Sequence, residues 1–264
     1  MSDRADDIGF RFDVDGAVAT VTLCRPEQRN PQSPKLWSAL AAVGSTLPAG
    51  VRVVTVRAEG PSFSAGLHRA MFTQHGIPGD LSMMDLAGLE DEALLATIAG
   101  FQEAFSWCRR ADVLTVAAVQ GHAVGAGFQL ALACDLRICA DDARFAMRET
   151  SLGLVPDLGG LHPLVAAVGY ARALEICVTG RWVGADEAHR IGLATIVVPR
   201  VELDAAVSDL VQAVLEPPHG AVTATKALLL GAATRSYDEQ LGAERQAQFA
   251  RLRRLGGVSS GHAP

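Results

Sequence analysis

At 264 residues, 49% of them hydrophobic and with a mean hydropathy of +0.22, the chain can bury a sizeable core as one domain plus an appendage. Lys and Arg total 23 against 29 Asp and Glu, and the resulting formal charge of −6 offers no basic surface to a nucleic acid. The first residues, Met1-Ser2-Asp3-Arg4-Ala5-Asp6-Asp7, carry charge where a signal peptide has an apolar core, and no apolar run reaches membrane-spanning length. The expectation is a cytoplasmic protein with no membrane or nucleic-acid partner. Its five cysteines (Cys24, Cys108, Cys134, Cys139 and Cys177) form no Cys-x-x-Cys pair and read as buried free thiols.

In chain order, β-type runs at residues 10–14 and 17–23 flank Asp15-Gly16, which predicts a hairpin. Pro34 opens a helical stretch to about Leu47, and the β-branched residues 51–56 predict a buried strand. Residues 71–88 are rich in Gly, Pro and Met without a steady period and read as a mobile loop. Residues 85–110 carry helical spacing with a soft point at Gly100, and 113–119 form the next strand. A helix is expected from about Gly127, then two short strands at 136–140 and 144–147, and helices from Pro163 onward interrupted by a β-type run at 195–198. Residues 203–255 divide into three amphipathic helices at Pro217-Pro218-His219-Gly220 and at Arg235-Ser236-Tyr237, followed by a frayed tail at 259–264. The pattern is α/β, a ββα unit repeated, with a helical C-terminal part.

Two glycine-rich turns carry the chemistry. One follows the 51–56 strand, at Gly60-Pro61-Ser62-Phe63-Ser64-Ala65-Gly66-Leu67-His68; the other follows the 113–119 strand, at Gly121-His122-Ala123-Val124-Gly125-Ala126-Gly127-Phe128-Gln129. A strand that stops at glycines and restarts as a helix aims bare N–H groups and the positive end of the helix dipole at one point. Two such turns can give one N–H each to a single carbonyl oxygen, the hardware of an oxyanion hole. A dinucleotide fingerprint is excluded because Leu130 stands where its third glycine belongs, and Ser62 and Ser64 form no Gly-x-Ser-x-Gly elbow.

These turns, with Thr22-Leu23-Cys24-Arg25-Pro26-Glu27-Gln28-Arg29-Asn30 before them and Gly153-Leu154-Val155-Pro156-Asp157-Leu158-Gly159-Gly160 after Cys134-Asp135-Leu136, occur in the order and spacing of one family. The chain resembles the crotonase superfamily of enoyl-CoA hydratases and isomerases. The resemblance implies a crotonase-like α/β fold, with residues 1–200 forming the ββα core and acyl-CoA site and 201–264 a helical trimerisation or lid region. It implies an acyl-CoA partner, coenzyme A arriving as part of the substrate, no metal or redox cofactor, and a homotrimer or a hexamer made as a dimer of trimers.

Carried over residue by residue, the resemblance places the oxyanion N–H donors at Leu67 and Ala126, with Ala65, Gly66 and Gly125 shaping the turns around the substrate. Ser62, Ser64, His68, Arg25 and Arg29 fall on the substrate side, the two arginines being either phosphate contacts or solvated charges. His68 departs from the Asp common at its place; it and His162 read as packing or hydrogen-bonding residues rather than catalysts. Where hydratases of this family carry two glutamates, this chain has Gln129 and Glu149. Glutamine cannot shuttle a proton. Asp157 lies where dienoyl-CoA isomerases are similar in carrying an aspartate, although capping the turn before Gly159-Gly160 would also explain it. The surviving acids favour double-bond isomerisation, with Glu149 as proton shuttle and Asp157 as its partner; a hydratase using a water held by Gln129, and a non-catalytic acyl-CoA binder, are the alternatives.

Overall fold

The computed structural model describes residues 8–258. The frayed tail expected at 259–264 and the charged residues 1–7 lie outside them. Strands β1 (Phe10–Asp15) and β2 (Val18–Leu23) pair antiparallel with Asp15 opposite Val18, so the two-residue loop is Gly16-Ala17, one residue later than expected. The shift has a stereochemical reason. Only Gly16 adopts the positive φ (55°) that the first position of a II′ hairpin turn requires.

After the short β3 (Pro31–Gln32), helix α1 (Pro34–Thr46) starts where expected, with Ser33 Oγ accepting the Leu36 N–H and Pro34 in the first turn. Strand β4 (Val53–Ala58) and β5 (Gly66–Leu67) follow. The mobile loop expected at 71–88 is instead structured: a 3₁₀ turn spans Arg69–Phe72, and α2 (Met83–Ala87) is closed by a capping box in which Ser82 and Asp85 bind each other's backbone N–H. Five residues are too few to show a helical period. The single helix expected over 85–110 accordingly divides at Gly88, and α3 (Asp91–Ser106) carries the longer part.

Strand β6 (Leu114–Val119), β7 (His122–Val124), α4 (Ala126–Ala133), β8 (Leu136–Ala140) and β9 (Arg144–Ala146) come next. Helices α5 (Leu161–Val168) and α6 (Tyr170–Thr179), strand β10 (Val183–Gly184), helix α7 (Ala185–Arg190) and strand β11 (Ile196–Val198) lead into α8 (Leu203–Leu215), α9 (His219–Ala232) and α10 (Tyr237–Val258).

The main sheet has the order β1-β2-β4-β6-β8-β11, parallel from β2 onward. Parallel strands are covered on both faces, which is why Val53, Val54, Val56, Val116 and Val119 are fully buried. One face carries the larger core with α1, α3 and α4, and the other is covered by α8 through Leu203 and Val211. A second sheet, β7-β9-β10, and the β3-β5 pair meet through a bridge between Ser64 and Ala123. Cys108, Cys134, Cys139 and Cys177 are free thiols and buried, and Cys24 is half-buried. No described helix is long and apolar enough to cross a membrane.

Candidate active site

The two glycine turns meet face to face. Gly66 has a φ of +84°, and a Cβ built there would stand 2.5 Å from Val124 O and 3.6 Å from Ala126 N, so only glycine allows the approach. In the β3-β5 ladder His68 donates its N–H to Gln32 O at 2.8 Å. The neighbouring Gly66 donates its N–H to Ser64 Oγ at 3.2 Å, and Leu67 between these two residues lines the same cavity as Ala126. Across from it, Gly125 (φ 50°, ψ −119°) turns the chain into α4 without any side-chain cap, leaving the Ala126 N–H at the positive end of the helix. Upstream, Arg29 and Asn30 are the two non-glycine residues of positive φ among those described. Asn30 holds that strained corner by donating from Nδ2 to Glu59 O and Ser62 O, both at 2.9 Å, and accepting the Arg25 N–H at 2.8 Å.

Both turns open into a cavity of about 810 Å³, the size range of small-molecule and cofactor sites. Glu149 and Asp157 are the two carboxylic acids in its wall. Glu149 lies against the second turn, its Oε1 3.3 Å from where a Gly125 Cβ would stand. Burial pushes the Glu149 carboxyl above its ordinary pKa, the Gln129 hydrogen bond pulls it partly back, and the Asp157 charge adds to the rise. Its Oε2 is buried and has no hydrogen-bond partner among the described residues. Burial likewise raises Asp157.

Gln129 is 1% exposed and bonded at both its amide nitrogen and its amide oxygen. Its Nε2 donates to Glu149 Oε1 at 2.7 Å while its Oε1 accepts the Leu158 N–H at 2.9 Å and the Gly160 N–H at 3.4 Å. One buried amide thereby ties the acid of one loop to the turn that carries Asp157.

The structure therefore brings Ala65, Gly66, Leu67, His68, Gly125, Ala126, Gln129, Glu149 and Asp157 to one cavity. His68 Nδ1 accepts the Ala70 N–H at 3.1 Å, so the neutral imidazole presents its proton on Nε2. Arg25, Arg29, Ser62 and Ser64 are outside the wall. The Arg25 side chain packs against Gly9; Arg29 acts through its carbonyl, which accepts the Ala65 N–H; Ser62 Oγ pairs with His122 Nδ1; and Ser64 Oγ donates to Asn30 O at 2.7 Å and accepts the Gly66 N–H. Ser62, Ser64 and the Arg29 carbonyl thus hold the first turn together. His162 pairs with Arg109 on the surface. Sequence reasoning missed the apolar wall from α1, α2 and α3, and its one legible signal was the helical spacing of Leu94, Ile98 and Phe101.

A family model for enoyl-CoA hydratase/isomerase matches residues 13–253. The chain belongs to the enoyl-CoA hydratase/isomerase family. Its solved relatives include a candidate enoyl-CoA hydratase of Thermobifida fusca YX in complex with CoA, 46% identical, with a TM-score of 0.92 over 97% of this chain and 98% of that one. The same protein with acetoacetyl-CoA superposes with a TM-score of 0.93 over 96% and 98%. Among curated relatives of this enoyl-CoA hydratase/isomerase family member, the peroxisomal delta(3,5)-delta(2,4)-dienoyl-CoA isomerase of Arabidopsis thaliana is 30% identical over 88% of this chain and 84% of its own length. The crotonase-type fold and the family expected from the four motifs are thus both found.

Proposed function

We propose that this protein moves a double bond within an enoyl- or dienoyl-CoA thioester. The thioester oxygen lies between the Leu67 and Ala126 N–H groups, which take up the charge of the enolate; one such donor is worth about 3 kcal/mol of barrier. Glu149 removes the proton next to the carbonyl through its free Oε2. The proton added back farther along the conjugated chain comes from Glu149 or from Asp157, and the double bond shifts with no net change in composition.

The observation that carries this reading is the engagement of Gln129. With its amide bound to Glu149 on one side and to the Leu158 N–H on the other, it has no acid proton to give and no basic group with which to take one from water. Hydration, the reaction class in the name of the Thermobifida relative, would then have to run with Glu149 as its one acid–base group at these two positions. The neutral Nε2–H of His68 beside Leu67 supports a further role as a donor to the acyl-CoA.

The test follows absorbance during incubation with a 3-enoyl-CoA, a 3,5-dienoyl-CoA and a 2-enoyl-CoA, for the wild type and Asp157→Asn. Isomerisation that is lost selectively in the variant is the expected result. Hydration as the sole activity overturns the reading, and an absence of turnover with intact binding makes the chain an acyl-CoA binder. Leu229, Phe249, Leu252 and Leu255 remain exposed on α9 and α10, which supports assembly of the chain through its helical tail into a trimer or a dimer of trimers; light scattering measures it directly.

A further inference from the structure

The cavity wall contributed by α2 and α3 is apolar throughout: Met83, Leu86, Ala87, Leu94, Ile98 and Phe101. On α3 the last three share one face, since positions four and three apart lie above one another on a helix. Trp37 of α1 completes this surface and is 5% exposed. Its ring stands 4.9 Å from that of Phe101, inclined by 57°, and is backed by Phe105 at 6.1 Å. The indole N–H is the single side-chain hydrogen-bonding donor on this surface, and it is taken by Gln32 Oε1 at 2.8 Å. Gln32 is itself fully buried, with its Nε2 directed to Ser64 Oγ at 3.4 Å, so the indole is pinned from behind and cannot turn its N–H toward a ligand.

A hydroxyl or carboxylate placed against such a surface would lose its water without gaining a partner. An alkyl or phenyl group would gain affinity in proportion to the area it covers. Packed rings also adapt less than an unbranched side chain, so the Trp37-Phe101 pair is the rigid part of this surface and Met83 the part that yields. We infer that the acyl group handled by this protein is apolar to its tip, a medium-length alkyl or phenyl-ended chain, and that Trp37 and Phe101 set where that tip ends. This rests on the acyl-CoA reading of the same cavity.

Calorimetric titration with saturated thioesters tests the inference apart from any turnover. Butanoyl-CoA, octanoyl-CoA and suberyl-CoA, the last ending in a carboxylate, are titrated into the full chain. Each buried methylene contributes about 0.8 kcal/mol, or about fourfold in affinity, so octanoyl-CoA is expected to bind on the order of 10²-fold more tightly than butanoyl-CoA. Suberyl-CoA should fall back to the butanoyl level or below. Ile98→Asp should bring the octanoyl-to-butanoyl ratio close to one, while Ile98→Val keeps it and serves as the folding control; Phe101→Ala should extend the preference to dodecanoyl-CoA. Octanoyl-CoA and butanoyl-CoA binding equally well, or suberyl-CoA binding as tightly as octanoyl-CoA, overturns the inference and leaves the acyl-CoA reading standing. If folded protein binds none of the three, the acyl-CoA reading itself falls and this inference with it.

Discussion

The two sides of the cavity are built on different principles. On the polar side, position is set by backbone: the β3-β5 register places Leu67, helix geometry frees the Ala126 N–H, and two glycines let the turns touch. On the apolar side, position is set by side chains that project from α1, α2 and α3 and fill space without directional bonds, apart from the pinned indole of Trp37. The first side tolerates almost any side chain at its donors and almost no change at its glycines. The second tolerates backbone adjustment and is altered by every change of side-chain volume. Oxyanion donors held by the main chain and selectivity held by apolar side chains can therefore vary independently.

Removing the one fully placed acid puts the most strain on this division. Glu149→Gln keeps the shape and the hydrogen bond to Gln129, through the new amide oxygen, but deletes the proton carrier. The turnover number should fall by a factor of roughly 10² to 10⁴, the usual worth of a positioned acid or base, with little change in acyl-CoA affinity. A variant that turns over a confirmed substrate at the wild-type rate would remove Glu149 from the chemistry.

Gly66→Ala is the next largest expected effect and addresses the backbone half directly. The added methyl would meet Val124 O at 2.5 Å in a residue whose φ is +84°, so the turns must separate. Strain of this kind costs about 1–3 kcal/mol of stability. The accompanying loss of an aligned donor should lower turnover by about 10²-fold or more, with octanoyl-CoA still preferred over butanoyl-CoA. The two readouts, denaturant midpoint and chain-length preference, separate the halves: if the preference vanishes with turnover, the two sides are not independent.

The same division explains what could be read from the sequence. Turns fixed by Gly66, Gly125 and Gly127 declare themselves because few other residues can occupy those places, and the buried parallel strands declare themselves through runs of valine. The four missed strands, β3, β5, β7 and β10, are two or three residues long and carry no alternation to detect. Helix α2 hid behind glycine, proline and methionine because a five-residue helix is defined by its cap and its packing rather than by periodicity. The resemblance put Arg25, Arg29, Ser62 and Ser64 on the substrate side; the bonds of Ser62 Oγ to His122 and of Ser64 Oγ to Asn30 O, which hold the first turn, needed the third dimension. Gln129 was legible as a missing acid; that its amide bridges Glu149 and the Asp157 turn needed the third dimension.

The smallest expected effect concerns stability, and it sharpens the contrast between a polar side built for chemistry and an apolar side built for packing. Burial raises the pKa of Glu149 in the folded protein above its ordinary value of 4.5. The folded state therefore holds that proton more tightly than the unfolded chain does, so the carboxyl favours folding at acid pH and loses that contribution as pH rises through the folded pKa. As pH rises above the folded pKa, charging the half-satisfied Glu149 is a net cost that Glu149→Gln relieves, since an amide pays no charge desolvation. The variant should melt a few degrees above the wild type at pH 7. That gap should shrink as pH is lowered toward and below 4.5, where both states of the wild type carry the proton. Ile98→Val on the apolar side titrates nothing, so its small melting difference should be constant across the same range. A Glu149→Gln difference that is equally flat with pH, or a variant less stable than the wild type at neutral pH, would show that the carboxylate is comfortably solvated and that the polar side stores no such strain.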